Sequence, residues 1–305
     1  MIAFGPVPSR RLGKSLGINN IPAKICSYAC VYCQIGRTIK MSVERKAFYE
    51  PEEVFEEALK KSSDADYITF VPDGEPTLDV NIGKEIEMLK SIKKIAVLTN
   101  SSLIWREDVQ YDLMDASLIS FKIDAVSQDL WKKINRPYPS LNINEILDAM
   151  LDFSKKFKGR IITETMLIDG INYENEFDKI ASFLKKLKPY KAYVAIPTRP
   201  PVEPWVKPAK EDVIIHAYQV FSKVVKAEYL IGYEGNEFSS TGDIENDLLS
   251  ITSVHPMRQE AVDELLKKNG SDWNIVEKMV SEGKLLEISY EGNKFYMRKI
   301  PKVRA

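Results

Sequence analysis

The stretch CSYACVYCQIG, residues 26–36, carries all three cysteines of the 305-residue chain: Cys26, Cys30 and Cys33. Three thiols do not divide into disulfides, and a bridge across two or three intervening residues would add little stability. Structural zinc takes four ligands, and the only histidines, His216 and His255, lie about two hundred residues further on. A lone nucleophile would need a base beside it and would leave two thiols unexplained. A four-iron cluster accounts for the odd number. Thiolates are its natural ligands, and a C-x3-C-x2-C loop can wrap one corner while leaving the fourth iron open to a chelating molecule.

Around this loop the composition, 44% hydrophobic and 29% charged, is that of a soluble globular protein. The 43 basic and 44 acidic residues leave a formal charge of -1. No global field would therefore hold the chain to nucleic acid or an anionic membrane, and any such contact must be local. The opening MIAFGPVPSRRLG has an arginine pair without an apolar run behind it, and no stretch of ~18 apolar residues occurs. Neither a signal peptide nor a membrane span is expected, and a reducing cytoplasm is.

With Tyr32 before the last cysteine, the spacing reads C-x3-C-x-aromatic-C and resembles the signature of the radical S-adenosylmethionine (SAM) enzymes. The resemblance implies that Cys26, Cys30 and Cys33 hold a [4Fe-4S] cluster, with Tyr32 beside it, and that SAM occupies the fourth iron. One electron from the reduced cluster would cleave SAM to methionine and a 5'-deoxyadenosyl radical, which abstracts a substrate hydrogen. A reducing electron donor of flavodoxin or ferredoxin type and a partial (β/α) barrel are implied as well.

Strand-like and helix-like segments then alternate as such a fold needs. SLGINNI, DYITFV, KIAVLTN, LISFKIDA, RIITETMLI and KAYVAIPT read as strands, each followed by a helical segment. PEEVFEEALKKS, for example, has proline at its start and acids in its first turn. Six repeats, ending near Tyr233, predict an α/β fold with a partial (β/α)6 TIM-like barrel over residues 1–235. Its site belongs at the strand ends, where polar residues collect. VPDGEPTL resembles the family's glycine-glutamate motif with Asp73 in place of the commoner first glycine. Gly74 would then give backbone access and Glu75 would accept from the SAM ammonium. Asn100, Ser120, Lys122 and Asp124 match positions that contact the SAM ribose and carboxylate in relatives. An ion pair between neighbouring strands would satisfy the charged ones equally well. Glu164 in ITETML is a further candidate.

FGPVPSRRLGKSLGIN and AIPTRPPVEPW narrow the resemblance to archaeal and bacterial iron-sulfur oxidoreductases similar in their core to wybutosine-synthesising enzymes. With no cysteines for a second cluster, the likeness stops short of that reaction. Ser9, Arg10 and Arg11 read as an anion site or a solvated basic turn, and Arg199 belongs at the barrel mouth. After GYEGNEFSSTGD, residues 243–305 read as three helices (IENDLLSITSVHP, MRQEAVDELLKKNG, WNIVEKMVSEGK) and a hairpin turning at EGN, a winged-helix-like α+β domain. From Asp243 on, 10 basic and 11 acidic residues nearly balance, with Lys294, Arg298, Lys299, Lys302 and Arg304 as a local basic exception. His255 reads as the neighbour of a helix cap and His216 as packed on its helix. The leading function is a radical SAM enzyme acting on a macromolecule, RNA or polypeptide. Activation of a glycyl-radical partner and an iron-sulfur winged-helix regulator are the alternatives.

Overall fold

The computed structural model describes residues 2–232 and 235–299, so Tyr233, Lys302 and Arg304 lie outside the described residues. β1 (Ala3–Ser9) turns back into β2 (Gly13–Ile18), and the two-residue strands β3 (Ile25–Cys26) and β4 (Lys40–Met41) bracket the cysteine loop. There follow α1 (Pro51–Lys61), β5 (Tyr67–Phe70), a 3-10 turn at Pro76–Leu78, α2 (Ile82–Leu89), β6 (Lys94–Thr99), α3 (Glu107–Leu113) and β7 (Leu118–Lys122). Next come α4 (Gln128–Asn135), α5 (Ile143–Lys156), β8 (Arg160–Met166), α6 (Glu176–Leu187), β9 (Lys191–Ala195), α7 (Glu211–Ser222) and β10 (Ala227–Leu230). The C-terminal part holds α8 (Ile244–Val254), β11 (Met257–Arg258), α9 (Gln259–Lys268), α10 (Asn274–Ser281), β12 (Leu285–Tyr290) and β13 (Asn293–Arg298).

The main sheet has the order β1-β2-β5-β6-β7-β8-β9-β10. It is parallel from β2 to β10, with β1 antiparallel at one edge. The six strand-then-helix units are present and curl into a partial TIM-like barrel. Side chains alternate between faces along each strand. Ile68, Phe70, Val97, Phe121 and Val194 join the large core under the helices. The register places Ser15, Thr69, Ser120, Lys122 and Glu164 on the other, concave face. That inner face is apolar low down, where Ala96, Leu118, Ile162 and Tyr193 pack around Leu12, and polar toward the strand ends. The β1–β2 turn therefore enters the barrel: Leu12 fills its floor, and Arg10 reaches across to donate to the Tyr229 carbonyl on β10 at 3.0 Å.

Several elements differ from the sequence reading. β1 contains Pro6 and Pro8, which argue against a central strand but are tolerated on an edge. β10 is only four residues long, and α4 eight. Met257 and Arg258, read as the start of a helix, instead pair with β13 as a third strand of the order β11-β13-β12. A second apolar core joins α8, α9, α10, β12 and β13. Phe4 and Val7 of β1 belong to that core, so β1 is shared between the two parts of the chain. His255 caps α8, its N–H donating to the Ile251 carbonyl. His216 is exposed rather than packed inside, its ring set edge-on to Phe177 at 5.4 Å.

Candidate functional site

The cysteine loop is held from three sides. α4 ends against it, and the terminal carbonyls that a helix cannot satisfy internally accept from the loop: Ala29 N–H reaches the Asn135 and Arg136 carbonyls at 3.1 Å, and Val31 N–H reaches Ile134 at 3.0 Å. Trp131 of α4 donates to Tyr28 at 3.1 Å. On a second side, the β5–α2 loop meets β3. A Cβ at Gly74 would fall on the carbonyl oxygen of Ile25, and Glu75 N–H donates to that same oxygen at 3.2 Å. The close approach that glycine permits is thus to the chain's own backbone, one residue before Cys26. On the third side the end of β6 contributes Asn100, whose Nδ2 donates to Ser27 Oγ at 2.9 Å and lies 3.5 Å from Cys26 Sγ.

Below the loop Lys24 is a hub. It holds a positive φ of 68°, its N–H donates to the Asp73 carbonyl at 2.7 Å, and its own carbonyl accepts from Ile39 and Lys40. Its ammonium lies 3.3 Å from Asp73, and both side chains are nearly inaccessible. Burial lowers the Lys24 pKa against the opposing pull of Asp73, and burial pushes Asp73 up to about 6 with Lys24 opposing. Asp73, where the family motif more often has glycine, thus serves as the counter-charge for a buried lysine.

Glu75 is 1% exposed. Its Oε1 accepts from Thr77 N–H at 3.1 Å and from the Thr77 and Thr99 hydroxyls at 2.6 Å, while Oε2 accepts from Asn100 N–H at 2.7 Å. Burial raises its pKa, and these donors oppose the rise. Oε1 is thus fully engaged, whereas Oε2 accepts a single bond. Asp124, also buried, accepts from the Tyr32 hydroxyl, from Asn135 Nδ2 at 2.6 Å and from Met166 N–H at 2.8 Å. Asn135, which the sequence reading did not single out, lies 3.5 Å from Cys30 Sγ. It joins Cys30, Tyr32 and Asp124 through one amide.

Lys122 pairs with Glu164 at 2.5 Å, across the strand pair that the register aligns, and Arg11 binds the other oxygen of Glu164. The ion-pair reading of Lys122 is therefore realised. Burial would raise the Glu164 carboxyl, but Lys122 and Arg11 hold it at about 2, so it is ionised. Lys122 also lies over the Tyr32 ring, 5.1 Å from its centroid. Arg11, Lys122, Glu164 and Arg199 line a cleft of about 230 Å³ together with Tyr32 and Cys33. Of the pair after Ser9, Arg11 is the inward residue and Arg10 the outward one. Arg199 is fixed from the C-terminal side, its guanidinium 2.9 Å from His255 Nε2 and 3.1 Å from Gln34 Oε1. Gln34 in turn donates to the Val254 carbonyl at 3.2 Å, and Tyr290 donates to the Pro197 carbonyl at 3.3 Å. The C-terminal part thereby walls the barrel mouth. Ser120 lies on the same inner face, next to Leu98 and Ile162 in register.

All three thiols are free. Burial raises each, most strongly with the nearby Glu75 at Cys26, and with Asp124 at Cys30, which reaches about 12. Among the described residues no set of three or more His, Cys, Asp or Glu side chains is arranged around a single metal ion. A four-iron cube suits the loop better, since it offers a separate iron to each thiolate. Amide donors beside Cys26 and Cys30 are the kind of neighbours that tune such a cluster. The donor set therefore fits an iron-sulfur cluster.

A family description, Radical SAM superfamily, matches residues 20–184. The chain is 51% identical over 309 residues to a UPF0026 protein of Methanocaldococcus jannaschii, covering 98% of this chain and 96% of that protein. Among solved structures, Streptococcus suis SuiB bound to S-adenosylmethionine aligns with TM-score 0.53 and 12% identity over 70% of this chain and 49% of SuiB. A radical SAM methyltransferase from Sphaerobacter thermophilus aligns with TM-score 0.50 and 16% identity over 71% of this chain and 66% of that one. The chain thus spans about half of SuiB and two thirds of the methyltransferase, and both likenesses are of fold. The chain belongs to the radical SAM superfamily, whose enzymes bind a [4Fe-4S] cluster and SAM and need a reductant. No described helix is long and apolar enough to cross a membrane.

Proposed function

We propose that this chain is a radical SAM enzyme that holds its cluster through Cys26, Cys30 and Cys33 and takes hydrogen from an anionic substrate at the barrel mouth. The observation that carries the reading is that Cys33 and Tyr32 line one cleft with Arg11, Lys122 and Arg199. Once bound, the cluster and SAM supply one-electron reductive cleavage of SAM and the hydrogen abstraction that follows. The chain's own residues bind and orient. Glu75 accepts from the SAM ammonium, while Asn100, Ser120, Lys122 and Asp124 border the rest of the ligand. Arg11 and Arg199 attract the substrate's charge, and the C-terminal wall keeps water out.

RNA is the leading substrate class, because phosphates match a cleft with three cations against one carboxylate. The C-terminal order helix, strand, two helices, hairpin is that of a winged helix, and residues 243–305 would act as a substrate-side domain on the barrel of residues 1–235. α10, in the recognition position of such a module, exposes Asn274, Glu277, Lys278 and Ser281, with Lys278 engaged by Glu245 at 3.4 Å. Lys294 is likewise paired with Glu287 at 3.0 Å. These pairs count against a DNA-reading regulator, so the weight rests on the cleft.

The test is anaerobic reconstitution. The brown protein should hold about four irons per chain, release 5'-deoxyadenosine slowly with dithionite and SAM, and lose both properties in Cys30→Ala. Deuterated RNA, deuterated protein and a deuterated small-molecule fraction are then offered separately, and label in 5'-deoxyadenosine identifies the substrate pool. A Cys30→Ala protein with full iron and sulfide would sink the assignment.

A further inference from the structure

The cysteine loop opens on two clefts that share no lining residue. Cys33 faces the barrel mouth. Cys30 lines a separate surface cleft of about 260 Å³ with Gly36, Arg37, Thr38, Arg136 and Glu203. The two segments flanking Cys30 there, residues 36–40 and 132–136, contain Arg37, Lys40, Lys132, Lys133 and Arg136 and no acidic residue. All five cations are exposed. Glu203, the acid among the described lining residues, is paired with Arg136. Asp129, exposed one turn before Lys133 on α4, shares the side of the helix that carries Lys132 and Lys133, so five cations face two carboxylates and the face stays net positive in a chain of net charge -1. Ile39, one residue beyond Thr38, is 52% exposed within it. An apolar residue set among cations suits an acidic protein partner, with charge steering the encounter.

We propose that this face docks a small acidic electron-transfer protein of ferredoxin type, which delivers its electron from the outer surface of the loop, at the cleft of Arg37 and Arg136, while SAM and substrate use the barrel mouth. The inference rests on the proposed function, because a cluster must be there to reduce. One electron leaves the donor's reduced iron-sulfur centre, which becomes oxidised. The chain's cluster, held by Cys26, Cys30 and Cys33, would accept that electron and be reduced by one level, and no bond or proton would change hands. Separate faces let donor and substrate bind at the same time, so reduction need not wait for the mouth to empty.

The experiment compares full-length wild type with an Arg37→Glu/Lys133→Glu variant, both reconstituted, by stopped-flow reduction with a pre-reduced plant-type [2Fe-2S] ferredoxin. At low salt the variant's second-order rate should fall by about tenfold, the scale of electrostatic steering, and the gap should close at high salt. Dithionite should reduce both proteins at the same rate and yield equal 5'-deoxyadenosine. Equal ferredoxin rates at low salt overturn the docking proposal. Loss of RNA binding in the variant with an unchanged ferredoxin rate also overturns it, assigning the face to RNA. A wild-type chain that holds no cluster, or one inert even to dithionite, refutes the proposed function and this inference with it.

Discussion

Gly74 and Glu85 show how single residues set tolerances, one beside the cysteine loop and one on the buried face of α2. The carbonyl of Ile25 occupies the space that a Cβ on Gly74 would need, and backbone cannot move aside as a flexible side chain can. Gly74→Ala should push β3 away from the β5–α2 loop and cost about 1–3 kcal/mol, the usual scale of overpacking. Chemical denaturation and iron per chain should report this as a lower midpoint and a poorly retained cluster. A variant with wild-type values in both would show that the loop accommodates the methyl. Glu85 of α2 is wholly buried, and burial together with the neighbouring Asp79 carboxylate pushes it up to about 9. Its folded pKa lies above the ordinary value of about 4.3. Its contribution to stability is therefore complete at acid pH and is lost as pH rises toward 9. Glu85→Gln removes that titration, so its advantage over wild type should be smallest below about pH 4 and grow as pH rises toward 9, by roughly 1 kcal/mol per pH unit. A difference that stayed constant with pH would exclude Glu85 as its source.

At the scale of elements, what was legible followed from strong local patterns. The C-x3-C-x2-C loop, the six strand-then-helix units and the hairpin turning at Glu291–Gly292 were readable, since spacing, alternation and turn residues are all local. β1 was not, because Pro6 and Pro8 look like strand breakers until the strand is known to lie at an edge. α4 was not, because at eight residues its apolar side, Trp131 and Ile134, spans only about two turns and makes too short a pattern to read. Missing α4 also meant missing Asn135. Its role beside Cys30 follows from where the helix ends, and only its neighbour Trp131 hinted at burial. For the site residues, sequence order along successive strands located Glu75, Asn100, Lys122 and Asp124 near one end of the sheet. It did not show that Lys122 and Glu164 share a register or that Arg11 enters from a hairpin some 150 positions away in the chain. Such partnerships are tertiary, and an isolated charged residue in a strand signals only that a partner is needed.

At the scale of the whole molecule, the C-terminal part and the barrel are joined through β1. Phe4 and Val7 are 4% and 8% exposed, and both lie in the core built with Leu248, Val254 and Tyr296. The Phe4 ring also covers Gly17 of β2, where any Cβ would collide with it. Gln34 in the cysteine loop and Arg199 at the mouth are each held by residues at the end of α8. We therefore expect that ending the chain at Gly242 would uncover an edge strand, two of its apolar side chains and one wall of the cleft, rather than release an independent module. Burying a side chain of this kind is worth about 1.5–3 kcal/mol, so Phe4 and Val7 together represent about 3–6 kcal/mol. In a domain of this size each kcal/mol moves Tm by about 2–4 °C. The truncated chain should accordingly melt about 6–24 °C below the full chain, and its cluster should bleach faster in air because the mouth is open. Calorimetry of the two reconstituted proteins under anaerobic conditions measures the first effect, and loss of visible absorbance on exposure to air measures the second. A truncated chain that melts within about 3 °C of the full one would mean that β1 does not depend on the C-terminal core, and residues 243–305 could then be treated as a separable domain.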